Sequence, residues 1–421
     1  MTEEFLQYLW RFQLLRGRLV TSSGEEILVI KPGEYNTDEG PDFSNARIRI
    51  GSTLWAGNVE IHVRWSDWQK HGHTQNKRYE NIILHVVGED DQPVDRFSSE
   101  GIPILCIRDN IDLSLLAVYH ELKMARRWIP CENMISMVNP VKQHAMLDRV
   151  MAERMQHRAN GILQLLETCH QSWEEVAYIL VVRNFGARVN AQAFEWLARS
   201  LPYCLIQRCR DQKFRLEALL FGQAGMLHDH FIDEYPRQLR QEYQFLRQKH
   251  GLVPMQDHLW NFLRLRPPSF PTVRIAQLAD LLHRQNRLFS QILAAATIEE
   301  MVSLFECQAS DYWDVHYIFD RPSRNKRKGL GYEAVELMII NAAIPLMFTS
   351  GHSIGRQDIK DRSLDLLRQL PGENNAMMRR WVALGIPVSD AWNTQALLEL
   401  KEKYCDKKKC LHCAIGKSIL T

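Results

Sequence analysis

Apolar residues between positions 3 and 16 fall at Phe5, Leu6, Leu9, Phe12 and Leu15, and this spacing predicts an amphipathic helix that stops near Gly17. The period then drops to two. Residues 26–31 are β-branched and apolar and close at Pro32-Gly33, residues 42–50 end at Gly51, and residues 54–64 complete a hairpin around Gly51-Ser52-Thr53. Residues 66–79 carry Ser66 or Asp67 as a helix cap, with Gly72 as an interruption, and 81–87 and 102–107 read as two further strands. From about residue 111 the period rises to about 3.6. Stretches 142–168, 173–199, 213–223, 236–249, 274–296, 331–348 and 359–370 predict helices, separated by loops at Pro202, Pro254, Pro267 to Pro271, Pro322 and Pro371.

Composition narrows the class without naming a function. The 421 residues are 45% hydrophobic and 24% charged, which excludes extended disorder, and the longest apolar stretch, 337–348, is too short to span a bilayer. Net charge is only +2, so any affinity for nucleic acid has to come from local patches. The acidic start Met1-Thr2-Glu3-Glu4 is unlike a secretory signal. A cytoplasmic protein without a membrane partner is expected, and its nine cysteines are expected as thiols or metal ligands.

The first chemical constellation is Pro41-Asp42 with Glu60-Ile61-His62. Glu60 and His62 share a strand face while Val59, Ile61 and Val63 fill the other, and a hairpin brings Asp42 to the same place. Two carboxylates and an imidazole on one wet patch suit Mg²⁺ or Mn²⁺. The bland alternative makes Asp42 a turn residue and leaves Glu60 and His62 as a solvent face. Against that, His62, His71, His73 and His85 place four of the chain's sixteen histidines within 24 positions. His71, His73 and His85 are expected to support the site or bind phosphate rather than to ligate.

The element order and these residues resemble the PD-(D/E)xK nuclease superfamily over residues 1–110, with Pro41-Asp42 as its PD and Glu60-Ile61-His62 as its ExK. The resemblance implies that Asp42 and Glu60 hold Mg²⁺ or Mn²⁺, that His62 stands in the lysine position, and that a nucleic-acid phosphodiester is hydrolysed. Residues 40–87 also resemble an uncharacterised bacterial domain-of-unknown-function family through Gly-Pro-Asp-Phe, Glu-Ile-His and Ser-Asp-Trp. The implied fold class is α+β: a restriction-endonuclease-like α/β core (helix, three strands, helix, strands) over 1–110, an all-helical region over 111–400 and a cysteine-containing tail over 401–421.

That tail is the second constellation. Cys405, Cys410 and Cys413 pack three thiols into nine residues, a spacing that serves either a structural zinc or an iron–sulfur cluster once a distant ligand is added. Cys131 is the first candidate for that ligand, followed by Cys106 and His412. Some members of the nuclease superfamily hold an iron–sulfur cluster with one distant and three C-terminal cysteines. Free thiols on a basic tail are the alternative. Cys106, Cys169, Cys204, Cys209 and Cys307 read as core residues.

Arg321, Arg324, Lys326, Arg327 and Lys328 form the densest basic run, a loop fit to touch phosphates or simply to be solvated. The segment 264–274 interleaves arginine with Phe270 and prolines, and reads first as a rigid connector. No phosphate-cradling, Gly-x-Ser-x-Gly or His-Glu-x-x-His motif occurs. Three functions follow: a metal-dependent nuclease, a non-catalytic nucleic-acid-binding or scaffold protein that keeps the nuclease-like core, and an enzyme on a phosphorylated small molecule, which a deep pocket would favour.

Overall fold

The computed structural model describes residues 1–71, 77–91, 101–227 and 230–420. It is a mixed α+β protein with an N-terminal sheet and a large helical region. Two compact units divide it: Met1–Met146 with Leu400–Thr421, and Leu147–Glu399. The sequence reading drew its boundaries at 110 and 400. Contacts put the C-terminal segment in the first unit, together with residues 111–146.

In the first unit, helix α1 (Glu3–Arg11) starts at Thr2, whose hydroxyl accepts from the Phe5 N–H at 3.3 Å, with Glu3 and Glu4 in the positively polarised first turn. It ends a turn before the expected stop. Gln13 takes a positive φ of 52° and the Leu14 N–H closes back on the Leu9 carbonyl at 2.9 Å, which uses up the helix end.

The sheet contains β1 (Leu19–Val20), β2 (Glu26–Lys31), β3 (Glu34–Tyr35), β4 (Phe43–Ile50), β5 (Thr53–Arg64), β6 (Ile82–Glu89) and β7 (Ile104–Cys106). Its order is β1-β2-β4-β5-β6-β7, with β3 beside β4. The pairs from β1 to β5 are antiparallel, and β5-β6 and β6-β7 are parallel. Two registers matter for function: Phe43 faces Val59 across β4-β5, and Glu60 faces His85 across β5-β6. The parallel pair approaches closely at Gly57, where a Cβ would stand 2.4 Å from Ile83 Cγ2 and 2.8 Å from the Asn81 carbonyl. The helix expected over 66–79 is described only as one turn, α2 (Asp67–Lys70), and a short 3₁₀ turn, Lys77–Tyr79.

The second unit is helical for the expected reason, with apolar stripes turned inward, but three expected helices are broken, 274–296 into Pro271–Arg284 and Leu288–Ala294 among them. Residues 173–199 divide into Trp173–Phe185 and Ala191–Ser200 at Gly186, where a Cβ would meet the Asn190 backbone at 2.4 Å. Residues 331–348 run as Tyr332–Met338, a π turn Ile339–Ala343, and Ile344–Ser353. Pro345 has no N–H to give to the Asn341 carbonyl, so the ladder widens there. The region is not all helical. His316–Ile318 and Arg321–Pro322 form a small hairpin, and Asp320 supplies the left-handed turn residue at φ 58°. Among the described residues one helical stretch, Tyr332–Ser353, is long and apolar enough to cross a membrane, and 78% of its apolar window is buried within the protein.

Candidate active site

Asp42 sits at the mouth of the β4-β5 hairpin, directly across from Glu60. Its backbone N–H donates to Glu60 Oε2 at 3.1 Å, and its own carboxylate accepts the Ile61 N–H at 3.0 Å. The other Asp42 oxygen accepts Gln7 Nε2 of α1 at 2.8 Å, and Gln7 is itself oriented by the Tyr35 hydroxyl at 3.2 Å. Asp42 is therefore not a turn cap. Its side chain ties the first helix to the strand that carries Glu60.

Glu60 Oε1 lies 3.7 Å from His62 Nε2. Both residues are buried, at 4% and 0% exposure, so neither the expected wet patch nor the solvent-facing alternative is what the fold builds. Trp68 of α2 covers the imidazoles from one side, its buried ring edge-on to His62 and 4.9 Å from the His85 ring centroid.

The histidines form a chain. His62 Nδ1 is 2.9 Å from His85 Nε2, and His62 Nε2 is 3.2 Å from His71 Nδ1. Each contact needs one N–H and one lone pair, so three neutral rings can all point their protons the same way along the row. The row runs from buried His85 to exposed His71. His73 lies outside the described residues.

Burial is the main force that raises the proton affinity of both carboxyls, and the charge of Asp42 adds to it at Glu60. Glu3 of α1 raises both further, and burial raises Glu3 as well. Glu3 and Gln7, one turn apart on α1, are thus part of this site and were missed by the sequence reading. The signal available was their i,i+4 spacing opposite the apolar face of the first helix.

The thiols also converge. Burial, then the charges of Cys413 and Cys410, push the Cys131 thiol up to about 12, and Cys405 is raised by burial and then by Cys131, Cys413 and Cys410. These thiols therefore lie within electrostatic reach of one another. Cys106 Sγ faces the Gly88 carbonyl instead, at 4.0 Å, and His412 Nε2 lies 3.3 Å from Glu4 Oε1. Among the described residues no group of three or more His, Cys, Asp or Glu side chains is arranged to hold a metal ion. Of the cysteines expected in the core, Cys204 is exposed and Cys106 is half-buried.

In the second unit Arg321, Arg324, Lys326 and Arg327 are exposed. Lys328 departs from the expected phosphate-facing set. It is 4% exposed, and its ammonium donates to the Asp314 and Lys326 carbonyls at 2.9 and 3.3 Å while lying 4.2 Å from the Tyr317 ring centroid. It closes the loop from inside.

No curated protein and no solved structure matches this sequence. The match that exists is to a family and covers residues 3–376, spanning the strands that carry Asp42, Glu60 and His62: the chain belongs to the family described as Protein of unknown function (DUF2851).

Proposed function

We propose that the first unit hydrolyses nucleic-acid phosphodiesters with Mg²⁺ or Mn²⁺, using a PD-(D/E)xK-like arrangement of Asp42, Glu60 and His62. The observation that carries this reading is the direct link from Asp42 N–H to Glu60 Oε2, with His62 Nε2 3.7 Å from the other Glu60 oxygen. Mg²⁺ is commonly held by one or two carboxylates, with water and substrate phosphate completing its shell, so it needs no third protein ligand. Asp42 and Glu60 would hold it, and bound there it would supply positive charge to the phosphorus centre.

The protein's own residues then have distinct tasks. Gln7 fixes the Asp42 carboxylate by donating to one oxygen, which leaves the pair aligned. His62 Nε2, the ring nitrogen on the Glu60 side, would take the proton of the attacking water in exchange for its contact with His71, and His71, which is exposed, would then carry that proton to solvent. The water oxygen forms the new bond to phosphorus as the bond to the leaving oxygen breaks. Lysine would bring a fixed charge to position 62. Histidine brings instead a group that can accept and pass on a proton near neutral pH.

The test is cleavage of labelled single-stranded DNA, duplex DNA and RNA with Mn²⁺. Loss of cleavage in Asp42→Asn and Glu60→Gln supports the assignment, and undiminished cleavage in either removes it. One observation favours a second reading, a non-catalytic nucleic-acid-binding protein: both His62 nitrogens already face other imidazoles. Salt-sensitive nucleic-acid binding without Mn²⁺ affinity would establish that alternative.

The cysteines support a second proposed centre. A zinc ion needs four ligands close about one point, whereas an iron–sulfur cluster brings its own inorganic core to bridge more widely set thiolates. Cys131, Cys405, Cys410 and Cys413 are proposed as the ligands of one or the other. Protein purified without oxygen is expected to absorb near 400 nm if the group is an iron–sulfur cluster, and to be colourless with bound zinc if it is not.

A further inference from the structure

The second unit contains a cavity of about 790 Å³ whose walls carry five arginines and one glutamate. Its volume lies within the range of small-molecule sites. Arg183 and Arg199 both pair with Glu195, the latter at 2.9 Å. Among the described residues the other three arginines form no ion pair, and Glu399 and Glu373 act on Arg158 only from beyond that distance. Arg158 donates to the Ile340 carbonyl at 2.9 Å and to Asn341 Oδ1 at 2.8 Å, and Arg274 donates to Gln277 Oε1 at 3.1 Å. Arg188 is exposed at the rim.

A half-buried guanidinium with only neutral acceptors is costly unless something negative joins it. Both Arg158 and Arg274 are half-buried, and burial lowers the proton affinity of each. Two backbone features mark the same walls. The π turn Ile339–Ala343 supplies Asn341 and the carbonyl that Arg158 reaches, and Ala187 holds a positive φ of 46° at the cavity edge. Irregular backbone of this kind is common where a chain is shaped around a ligand. The remaining wall is apolar, with Ile162, Leu330, Leu337 and Met338 among its residues.

We propose that this cavity binds a nucleoside polyphosphate, its phosphates against Arg158, Arg188 and Arg274 and its base against the apolar wall. Five guanidiniums against one carboxylate leave an excess of four positive charges, which matches the charge of a fully ionised nucleoside triphosphate. Arginine suits this role because its planar donors grip phosphate oxygens two at a time. The proposal is independent of the nuclease reading, since it concerns residues of the second unit only.

The experiment is titration calorimetry of the full chain with ATP in EDTA, alongside inorganic pyrophosphate. ATP is expected to bind, and pyrophosphate to bind at least tenfold more weakly because it cannot use the apolar wall. Arg274→Gln and Arg188→Gln are each expected to weaken ATP binding tenfold or more, and Glu195→Gln to strengthen it by freeing two arginines. Arg188 is exposed and, among the described residues, outside any ion pair, so its variant tests the site even if the Arg274 variant folds poorly. Absence of ATP binding at millimolar concentration, equal binding of pyrophosphate, or ATP affinity unchanged in Arg188→Gln would each overturn the proposal.

Discussion

Replacing Glu60 with glutamine separates a working site from a structural carboxylate. The substitution keeps the shape and an oxygen able to accept the Asp42 N–H, but removes one charge from a buried pair. Folding raises the proton affinity of Glu60, through burial first and the neighbouring Asp42 charge second. A group raised in this way adds stability below its unfolded value, and that stability is lost as pH rises through its folded value. Each unit of elevation is worth about 1.4 kcal/mol, and buried carboxyls shift by up to about 3 to 5 units. Glu60→Gln should therefore stabilise the metal-free protein by up to about 4 to 7 kcal/mol at pH 9 and by little near pH 4, flattening the dependence of stability on pH. Urea unfolding in EDTA at several pH values measures this. The same variant should lose both the stabilisation by Mn²⁺ seen in the parent and its cleavage activity. A variant less stable than the parent at pH 9, with the same pH dependence, would show that Glu60 serves the fold, and the reasoning would fail.

Gly57→Ala should destabilise by about 1 to 3 kcal/mol, because its Cβ would push on Ile83 and the Asn81 carbonyl, and it should weaken Mn²⁺ binding through displacement of Glu60 on the same strand; calorimetric melting and titration check both. Glu217 in the second unit is pushed up to about 7 by burial, against hydrogen bonds from Ser310 and Tyr235 that lower it, and its Oε1 finds no partner. From the ordinary value of 4.5 to about 7, this removes about 3 kcal/mol of stability as pH rises through that window, and Glu217→Gln should abolish the loss in a pH series of denaturant titrations. Cys405→Ser should remove the absorbance near 400 nm from anaerobically prepared protein; a parent without that absorbance refutes the cluster. His62→Ala should cut cleavage by about a hundredfold or more and change the shape of the pH–rate profile, which a comparison with the parent would show.

The β-strands were legible because alternation is a local property: Val59, Ile61 and Val63 against Glu60 and His62 fixes which face each residue takes before any partner is known. The hairpin turn then carried Asp42 toward Glu60, and the cysteine run was visible from spacing alone. Other groupings lay beyond reach. Glu3 and Gln7 join Asp42 only because α1 packs beside β5, and Cys131 meets the C-terminal thiols across more than 270 positions. The Trp68 ring that covers His62 and His85 is announced by no periodicity in β5. Five arginines scattered from 158 to 274 became one cavity wall through helix packing and a π turn set by Pro345. Sequence patterning determines which side of an element a residue occupies; which other elements meet that side depends on register and packing between distant segments, and only the tertiary structure decided it.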